Sequence, residues 1–432
     1  MGALLFILLL VLIFFGLPIG FCILLSSTVF LQVTSLKPLL VVAQKLALGL
    51  DSSSLLAIPL FTLMGYIMES CGLSKRLIDW VYSLFGGFKG AMGLVTIICC
   101  TIFAALSGSG PATVAAIGSI LIPAMIENGY PPKTAAGLTA MAGALGPIIP
   151  PSIVMIVYGT TMGVSITKMF MGGVIPGILI AICVAVANMI KTRKLPLKVN
   201  LERHSLKEQL LVTWKALPTL LLPVIILGGI YGGIFTPTES ATVGVVYSFV
   251  LALVYHKVTV KSFIDSVKKT IETSAMICFL IAGASVFCWI LSTTQIPTKI
   301  ANFVVPMLGG SQALYWILLL IVLLFIGCLM ESLASVVMLA PVLAPIGLAM
   351  GINEIHLGVV FCISLIVGFV TPPFGANLFT VVGITKQPFG GHPLRGHFFE
   401  APVKVSGSNG QYTSLCCYIC GYLCGVIHIQ CV

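Results

Sequence analysis

Long apolar runs separated by short polar segments dominate the chain and predict membrane-spanning helices. Runs that are apolar almost throughout predict six spans, at 3–33, 54–70, 169–190, 217–233, 240–255 and 271–291. A helix needs roughly 20 predominantly apolar residues to cross a bilayer, and these runs approach or exceed that length. The stretch 72–89 mixes basic and aromatic residues, so it predicts an amphipathic helix at the cytoplasmic interface.

Two further apolar runs are interrupted by a short polar segment near the middle. The run 91–126 is interrupted at Ser107–Pro111, and the run 313–349 is interrupted at Met330–Ser332. Arms of about 15 residues are too short to span comfortably. Each run therefore predicts a re-entrant helical hairpin, whose tip is the interruption.

Another two apolar runs contain a pair of consecutive prolines. The run 135–163 is interrupted at Gly146–Pro151, and the run 355–388 is interrupted at Gly368–Pro373. Proline cannot donate to the helical hydrogen-bond ladder and disfavours helix in the residue before it. Both runs therefore predict transmembrane helices that are broken into two halves, with free backbone groups between them.

The hairpins and broken helices occur twice, at a constant separation of 222 residues. Such internal similarity indicates a duplicated unit. The matched pairs are Gly87 with Gly309, Phe103 with Phe325, Pro123 with Pro345, Gly129 with Gly351, Gly146 with Gly368, and Pro150–Pro151 with Pro372–Pro373. Because an odd number of predicted crossings separates the units, the second is inverted relative to the first. The predicted fold class is an all-α polytopic membrane protein with two inverted structural repeats, each containing a re-entrant hairpin and a broken helix.

The pattern divides the chain into four segments. Residues 1–190 form the first repeat and residues 216–389 the second. Between them, 191–215 is a basic linker that we place in the cytoplasm because of its lysines and arginines. Residues 390–432 form a tail that matches neither repeat.

Composition agrees with a membrane protein and disfavours other classes. Apolar residues make up 59% of the chain and charged residues 8%, against roughly 25% charged residues in ordinary soluble domains. The net charge of +10 comes from loop residues, and no basic run alternates with aromatic residues, so we expect no nucleic-acid partner. The N-terminal run has no basic start and no small-residue cleavage site, which predicts a retained first span. The absence of a catalytic triad, metal cluster or phosphate loop predicts that the protein is not an enzyme and needs no cofactor.

The breaks supply the candidate chemistry. A helix that is broken inside a membrane leaves carbonyl groups free at one half and N–H groups free at the other. Carbonyls suit a hard cation such as sodium, whereas helix N-termini suit an anion. A tip facing each break would form two cation sites with a substrate site between them.

These arguments give three sets of candidate residues. The predicted first sodium site consists of Ser107, Ser109, Gly146, Ile149 and Pro151. The predicted second sodium site consists of Met330, Glu331, Gly368, Thr371 and Pro373. The predicted substrate site consists of Ser109, Gly110, Pro111, Ser152, Ser332, Ala334, Gly375 and Asn377.

Glu331 is the only carboxylate between Lys299 and Glu354. An ionisable side chain in a membrane segment is costly to bury and usually functional. The alternative interpretation is that Glu331 lies in an aqueous cleft and only caps a hairpin arm.

Several motifs resemble those of a known family. Ser-Gly-Ser-Gly-Pro-Ala at 107–112, Gly-Pro-Ile-Ile-Pro-Pro-Ser at 146–152, Gly-Ile-Phe-Thr-Pro-Thr-Glu-Ser at 233–240 and the segment around Thr371 are similar to the large membrane subunit of TRAP (tripartite ATP-independent periplasmic) transporters. The resemblance covers about residues 1–389. It implies a sodium-coupled secondary transporter of the elevator type, in which the hairpins and broken helices move against a scaffold.

The same resemblance implies partners, a substrate class and a location. The partners would be a small four-span membrane subunit, which we expect to be a separate chain, and a periplasmic substrate-binding protein that delivers a small carboxylate. The first tip is most similar to members that carry four-carbon dicarboxylates. The implied location is the bacterial inner membrane, with multiple crossings and sodium as the coupling ion.

The tail departs from the repeat. By the 222-residue offset, 390–412 should be apolar like 168–190, yet it contains Arg395, Glu400 and Lys404. Five cysteines follow, at spacings too irregular to favour a zinc site. We interpret the tail as the product of an altered reading frame from about Gly390.

Two alternatives remain open at the level of sequence. The chain could be a stand-alone sodium-coupled anion symporter of similar architecture that needs no binding protein. It could also be a non-catalytic structural subunit of a membrane complex.

Overall fold

The computed structural model describes residues 2–198, 205–255, 259–371 and 375–385. Within these ranges the chain forms helices and loops without strands, which confirms the all-α fold class. The first half contains α1 (Gly2–Phe14), α2 (Ile19–Thr34), α3 (Leu40–Leu50), α4 (Ala57–Ser70), α5 (Leu73–Phe85), α6 (Ala91–Ser107), α7 (Gly110–Glu127), α8 (Pro132–Gly143), α9 (Ile153–Met162) and α10 (Ile166–Thr192).

The second half repeats this order. It contains α11 (Leu206–Tyr231), α12 (Pro237–Val254), α13 (Val260–Thr294), α14 (Ile296–Met307), α15 (Gln312–Leu329), α16 (Ser332–Ala349), α17 (Glu354–Val367) and α18 (Ala376–Thr385). Short 3₁₀ turns at Ser53–Leu56 and Gly368–Val370 precede α4 and follow α17. Eight helices in the described ranges are long and apolar enough to cross a membrane.

The predicted 222-residue repeat holds at the level of individual helices. A shift of 222 places the bounds of α7 on those of α16, and it places α5, α6, α8 and α9 within two residues of α14, α15, α17 and α18. Both hairpins and both broken helices are therefore present. The hairpin arms are 17 or 18 residues long, slightly longer than predicted, and about 26 Å at 1.5 Å per residue. The boundaries of the four predicted segments stay predictions.

The repeats interlock through their second half-helices. The second arm of the first hairpin, α7, packs against α18 of the second repeat, and α16 of the second hairpin packs against α9 of the first. This exchange places α9, α16 and α17 in the most buried part of the molecule, where α17 is buried continuously from Leu357 to Val367. By contrast, α10, α11 and α15 expose stripes of large apolar side chains, as lipid-facing helices do.

The predicted first span, 3–33, is wrong as a single helix. The chain forms α1 and α2, which pack against each other. Gly16 adopts the left-handed conformation with φ +77°, and Pro18 immediately precedes α2. Both residues stop a helix, because glycine favours a left-handed C-terminus and proline removes a backbone donor.

Two helices begin inside charged segments. α11 begins at Leu206, inside the predicted linker 191–215, because Glu208 accepts a 2.9 Å hydrogen bond from the backbone N–H of Ser205. α13 begins at Val260, in a lysine-rich segment, because Thr259 and Ser262 cap its first turn. Lysine is a good helix former, so a charged helical extension beyond the membrane is readily made.

The predicted amphipathic helix is present as α5. Its inner face buries Leu73, Leu77 and Val81. Trp80 Nε1 donates to Thr213 Oγ1 of α11 at 3.1 Å, and the Arg76 guanidinium lies 3.6 Å from the centre of the Tyr255 ring. These polar contacts fix α5 to the second half of the chain.

The motif at 233–240 forms a helix start. Thr236 Oγ1 accepts from Glu239 N at 3.3 Å, and Glu239 Oε2 accepts from Thr236 N at 2.8 Å, so the pair caps α12 reciprocally. We expect Thr236→Ala to destabilise the protein by about 1 kcal/mol and to lower its melting temperature in detergent. Thr242→Ala on the same helix removes only an exposed bond to Thr238 O and is the control. Equal melting temperatures for the two variants would contradict this role of the cap.

Candidate functional site

The tip of the first hairpin is held by its own hydroxyl groups. Gly108 adopts the left-handed conformation with φ +60° and lets α6 turn into α7. Thr113 Oγ1 donates to Ser109 O at 2.8 Å and lies 2.8 Å from Ser107 Oγ. The hydroxyl groups of Ser107 and Thr113 are therefore used within the tip, which leaves the half-buried Ser109 as its more accessible hydroxyl.

This tip lies directly against the first break, backbone to backbone. A Cβ added at Gly108 would lie 2.5 Å from Pro151 O, and one added at Gly146 would lie 2.6 Å from Ser109 O. Glycine is needed at both positions because a side chain would push the segments apart. The structure thus brings Ser107, Ser109, Gly146 and Pro151 of the predicted first sodium site together.

The remaining residues of the first break have packing or capping contacts. Ser152 is fully buried, accepts from Met155 N at 3.2 Å as the N-cap of α9, and donates to Pro147 O across the break. The Ile149 side chain packs against Gly177 of α10. Of the predicted substrate residues, Ser152 therefore has its hydroxyl hydrogen already donated within the protein.

The second tip repeats the hydrogen bonding of the first. Ser335 Oγ donates to Glu331 O at 3.0 Å, and both residues lie 222 positions after Thr113 and Ser109. Glu331 is the N-cap residue of α16, yet its half-buried carboxylate makes no capping hydrogen bond. The Glu331 side chain is therefore not used as a helix cap in this structure.

The second break contacts its hairpin at two points. Ser332 Oγ donates to Leu365 O at 3.1 Å, near the end of α17. A Cβ at Gly368 would overlap the backbone of Gly327, so α15 and the break touch one turn before the tip. Thr371 Oγ1 donates to Val367 O at 2.8 Å.

The other predicted residues of the second half have different positions. Met330 is the extended residue that ends α15, and Ala334 is buried in the first turn of α16. Gly375 precedes α18 with φ +26°. Pro373 and the tail 390–432 lie outside the described residues.

Two predicted substrate residues meet at the joint between the repeats. Gly110 is the first residue of α7, Pro111 follows it, and Asn377 of α18 lies against Gly110. Asn377 is fully buried, and its Nδ2 donates to Ala140 O of α8 at 2.9 Å. Its position is internal, so the side chain joins three helices instead of lining an open cleft.

Sequence reasoning missed several residues that shape the site. Thr113 and Ser335 hold the tips, and Gly108 and Gly327 allow the tips and breaks to touch. The 222-residue offset pairs Thr113 with Ser335. This match of two hydroxyl residues in the sequence could have identified both as tip residues.

These features define a class before any comparison with other proteins. Two hairpins, two broken helices and their inverted arrangement are those of a polytopic membrane transporter, built for transport and not for catalysis. The chain belongs to the family described as the tripartite ATP-independent periplasmic transporter, DctM component, whose family model matches residues 6–424. It is a multi-pass protein of the inner membrane.

Two relatives support this assignment, and a solved structure has a similar fold. The chain is 44% identical over 344 residues to the C4-dicarboxylate TRAP transporter large permease protein DctM of Pseudomonas aeruginosa, covering 78% of this chain and 79% of that one. It is 41% identical over 374 residues to the isethionate TRAP transporter permease protein DctMQ of Oleidesulfovibrio alaskensis, covering 86% of this chain but only 58% of that relative. The fold is similar to the crystal structure of the Alcanivorax borkumensis YdaH transporter, with a TM-score of 0.60 at 15% identity, covering 90% of this chain and 87% of that one.

Proposed function

We propose that this chain carries out sodium-coupled uptake of a small carboxylate. The observation that supports the proposal is the contact of each tip with its own break. At the first contact the carbonyl oxygens of Ser109 and Pro151 lie next to Gly146 and Gly108. Carbonyl oxygens of unwound backbone are the ligands with which broken transporter helices coordinate sodium.

The proposed substrate is an anion bound between the tips. Both second arms, α7 and α16, begin at their tips, so their N-termini place partial positive charge there. The half-buried Ser109 adds a hydroxyl group. Because one relative is named for C4-dicarboxylate and another for isethionate, the family differs in substrate, and a four-carbon dicarboxylate is the first ligand to test.

The proposed mechanism is an elevator movement. The exchange of α9 and α18 between the hairpins joins both tips and both breaks into one packed unit. A unit joined in this way favours movement as one body against the remaining helices. We propose that a small four-span membrane subunit supports those remaining helices and that a periplasmic binding protein delivers the substrate, as the tripartite family implies.

The sodium requirement is the first test of this function. Proteoliposomes containing the chain and its small subunit should take up succinate in the presence of the binding protein and an inward sodium gradient. Replacing sodium by potassium should lower the initial rate of uptake by about tenfold or more. The reason is that a loss of about 1.4 kcal/mol in the free energy of ion binding corresponds to a factor of ten. ATP should have no effect.

Three outcomes distinguish the alternatives. Undiminished uptake in potassium would overturn sodium coupling. Sodium-dependent uptake without the binding protein and the small subunit would identify a stand-alone symporter. Failure of several carboxylates to be transported or bound by the complete system would favour a structural subunit or a different substrate class.

A further inference from the structure

The side chain of Asn377 in α18 reaches the first broken helix. Its Nδ2 donates to Ala140 O at 2.9 Å, three residues before α8 ends. Its Oδ1 is buried and has no hydrogen-bond partner among the described residues. One carboxamide from the second repeat therefore has one polar atom engaged and one available inside the first repeat.

The unpartnered oxygen lies against the first tip. A Cβ added at Gly110 would lie 2.8 Å from Asn377 Oδ1, and one added at Gly143 would lie 3.4 Å from Asn377 Nδ2. The carboxamide is thus enclosed by the first residue of α7 on one side and the last residue of α8 on the other. Only glycine at 110 leaves room for it.

The chemistry of this contact favours a link between the repeats. N–H groups in the first turn of a helix lack partners within the helix, and Oδ1 is an acceptor. A buried acceptor without a partner destabilises the state that contains it. The buried Oδ1 therefore favours positions of the first tip in which one of these N–H groups reaches it, which links the tip to the second repeat.

We propose that Asn377 is a positioning residue that couples the two repeats. It holds the first tip and the end of α8 in register with α18, and so makes the geometry of the first cation site depend on the second repeat. This inference rests on the proposed function where sodium is concerned. A core asparagine that only stabilises the fold would instead affect unfolding without affecting sodium dependence.

The test compares two buried asparagines in the full chain with its small subunit. Asn377→Leu removes the carboxamide and keeps the branching and the number of heavy atoms in the side chain. Asn188→Leu is the matched control, because Asn188 is also buried and donates to a backbone carbonyl, that of Gly90, at 3.4 Å, but lies at the far end of α10. The measurements are the half-saturating sodium concentration for uptake and hydrogen–deuterium exchange of the amides at 108–113.

Asn377→Leu should raise the half-saturating sodium concentration about tenfold, which corresponds to about 1.4 kcal/mol, because the buried bond to Ala140 O is lost. It should also increase exchange at 108–113. Asn188→Leu should change neither quantity, whatever its effect on stability. If wild-type uptake is sodium-dependent and both asparagine variants leave sodium dependence and tip exchange unchanged, the inference is overturned. If amide exchange at the first tip rises in Asn377→Leu but wild-type uptake does not depend on sodium, the positioning role is supported and the proposed sodium coupling is overturned.

A second pair of variants protects the test against misfolding of Asn377→Leu. Gly110→Ala displaces the carboxamide without removing it. It should also raise the half-saturating sodium concentration and the amide exchange at 108–113. In an Asn377→Ala background, Gly110→Ala should change the half-saturating sodium concentration and the tip exchange less than it does in the wild type, because the side chain that it collides with is gone. Additive effects of Gly110→Ala and Asn377→Ala would contradict the coupling.

Discussion

Glu331→Gln is expected to reduce uptake by roughly 10–100-fold while leaving expression and membrane insertion near those of the wild type. Glu331 is a half-buried residue at the second tip and its side chain makes no helix-capping bond, so neutralising it should destabilise the fold little. Interactions with a charged group contribute about 1.5–3 kcal/mol, which corresponds to one to two factors of ten in rate. The measurement is the initial rate of uptake in proteoliposomes, normalised to the amount of inserted protein.

The control for this change is Glu354→Gln, an exposed acid at the start of α17. It removes the same charge from the same repeat, away from the tips. Wild-type uptake by Glu331→Gln, or an equal loss in both variants, would show that the acid at the tip has no specific role in transport.

Gly146→Ala is the second substitution with a large expected effect. The added methyl group would come within 2.6 Å of Ser109 O, so the first tip and the first break must separate. Overpacking of this kind costs about 1–3 kcal/mol, and we expect uptake to fall by roughly 10–100-fold because the carbonyl oxygens of Ser109 and Pro151 would be separated at the proposed sodium site.

Gly137→Ala provides the control for that substitution. Gly137 is also a glycine of the first broken helix, but nothing lies within 4 Å of its added Cβ. The change should leave uptake unaltered and stabilise α8 slightly, because alanine is the better helix former. Transport by Gly146→Ala at the rate of Gly137→Ala would mean that contact between tip and break is dispensable.

The parts of the fold that the sequence could predict are those marked by helix-breaking residues. Gly108, Gly146 and the prolines at 150 and 151 stop helices by local chemistry, so the hairpin and the broken helix could be located to within a few residues. The repeat offset then transferred the same bounds to the second half. Gly16 and Pro18 carried an equally clear signal, but the long apolar run around them favoured one span over two helices.

The parts that the sequence could not predict depend on packing between distant segments. Nothing in the sequence of α7 or α18 indicates that the two helices contact each other, because most positions in both helices are apolar. Asn377 could be identified as a polar residue near a break, but its bond to Ala140 joins residues 237 positions apart. The predicted grouping around Ser109, Gly146 and Pro151 followed from backbone chemistry, whereas the internal positions of Ser152 and Ile149 required the structure.

The exchange of half-helices also has a consequence for how the chain is made. Some 270 residues separate Gly110 from Asn377, and ribosomes add about 5–20 residues per second, so the partner of α7 emerges roughly 15–50 s after the first tip. During that interval the small-residue face of α7 and the end of α8 have no second repeat to pack against. The first half must therefore persist as an incomplete intermediate, shielded by lipid or by the insertion machinery, and truncation anywhere before α18 should leave a chain that the cell recognises as unfinished.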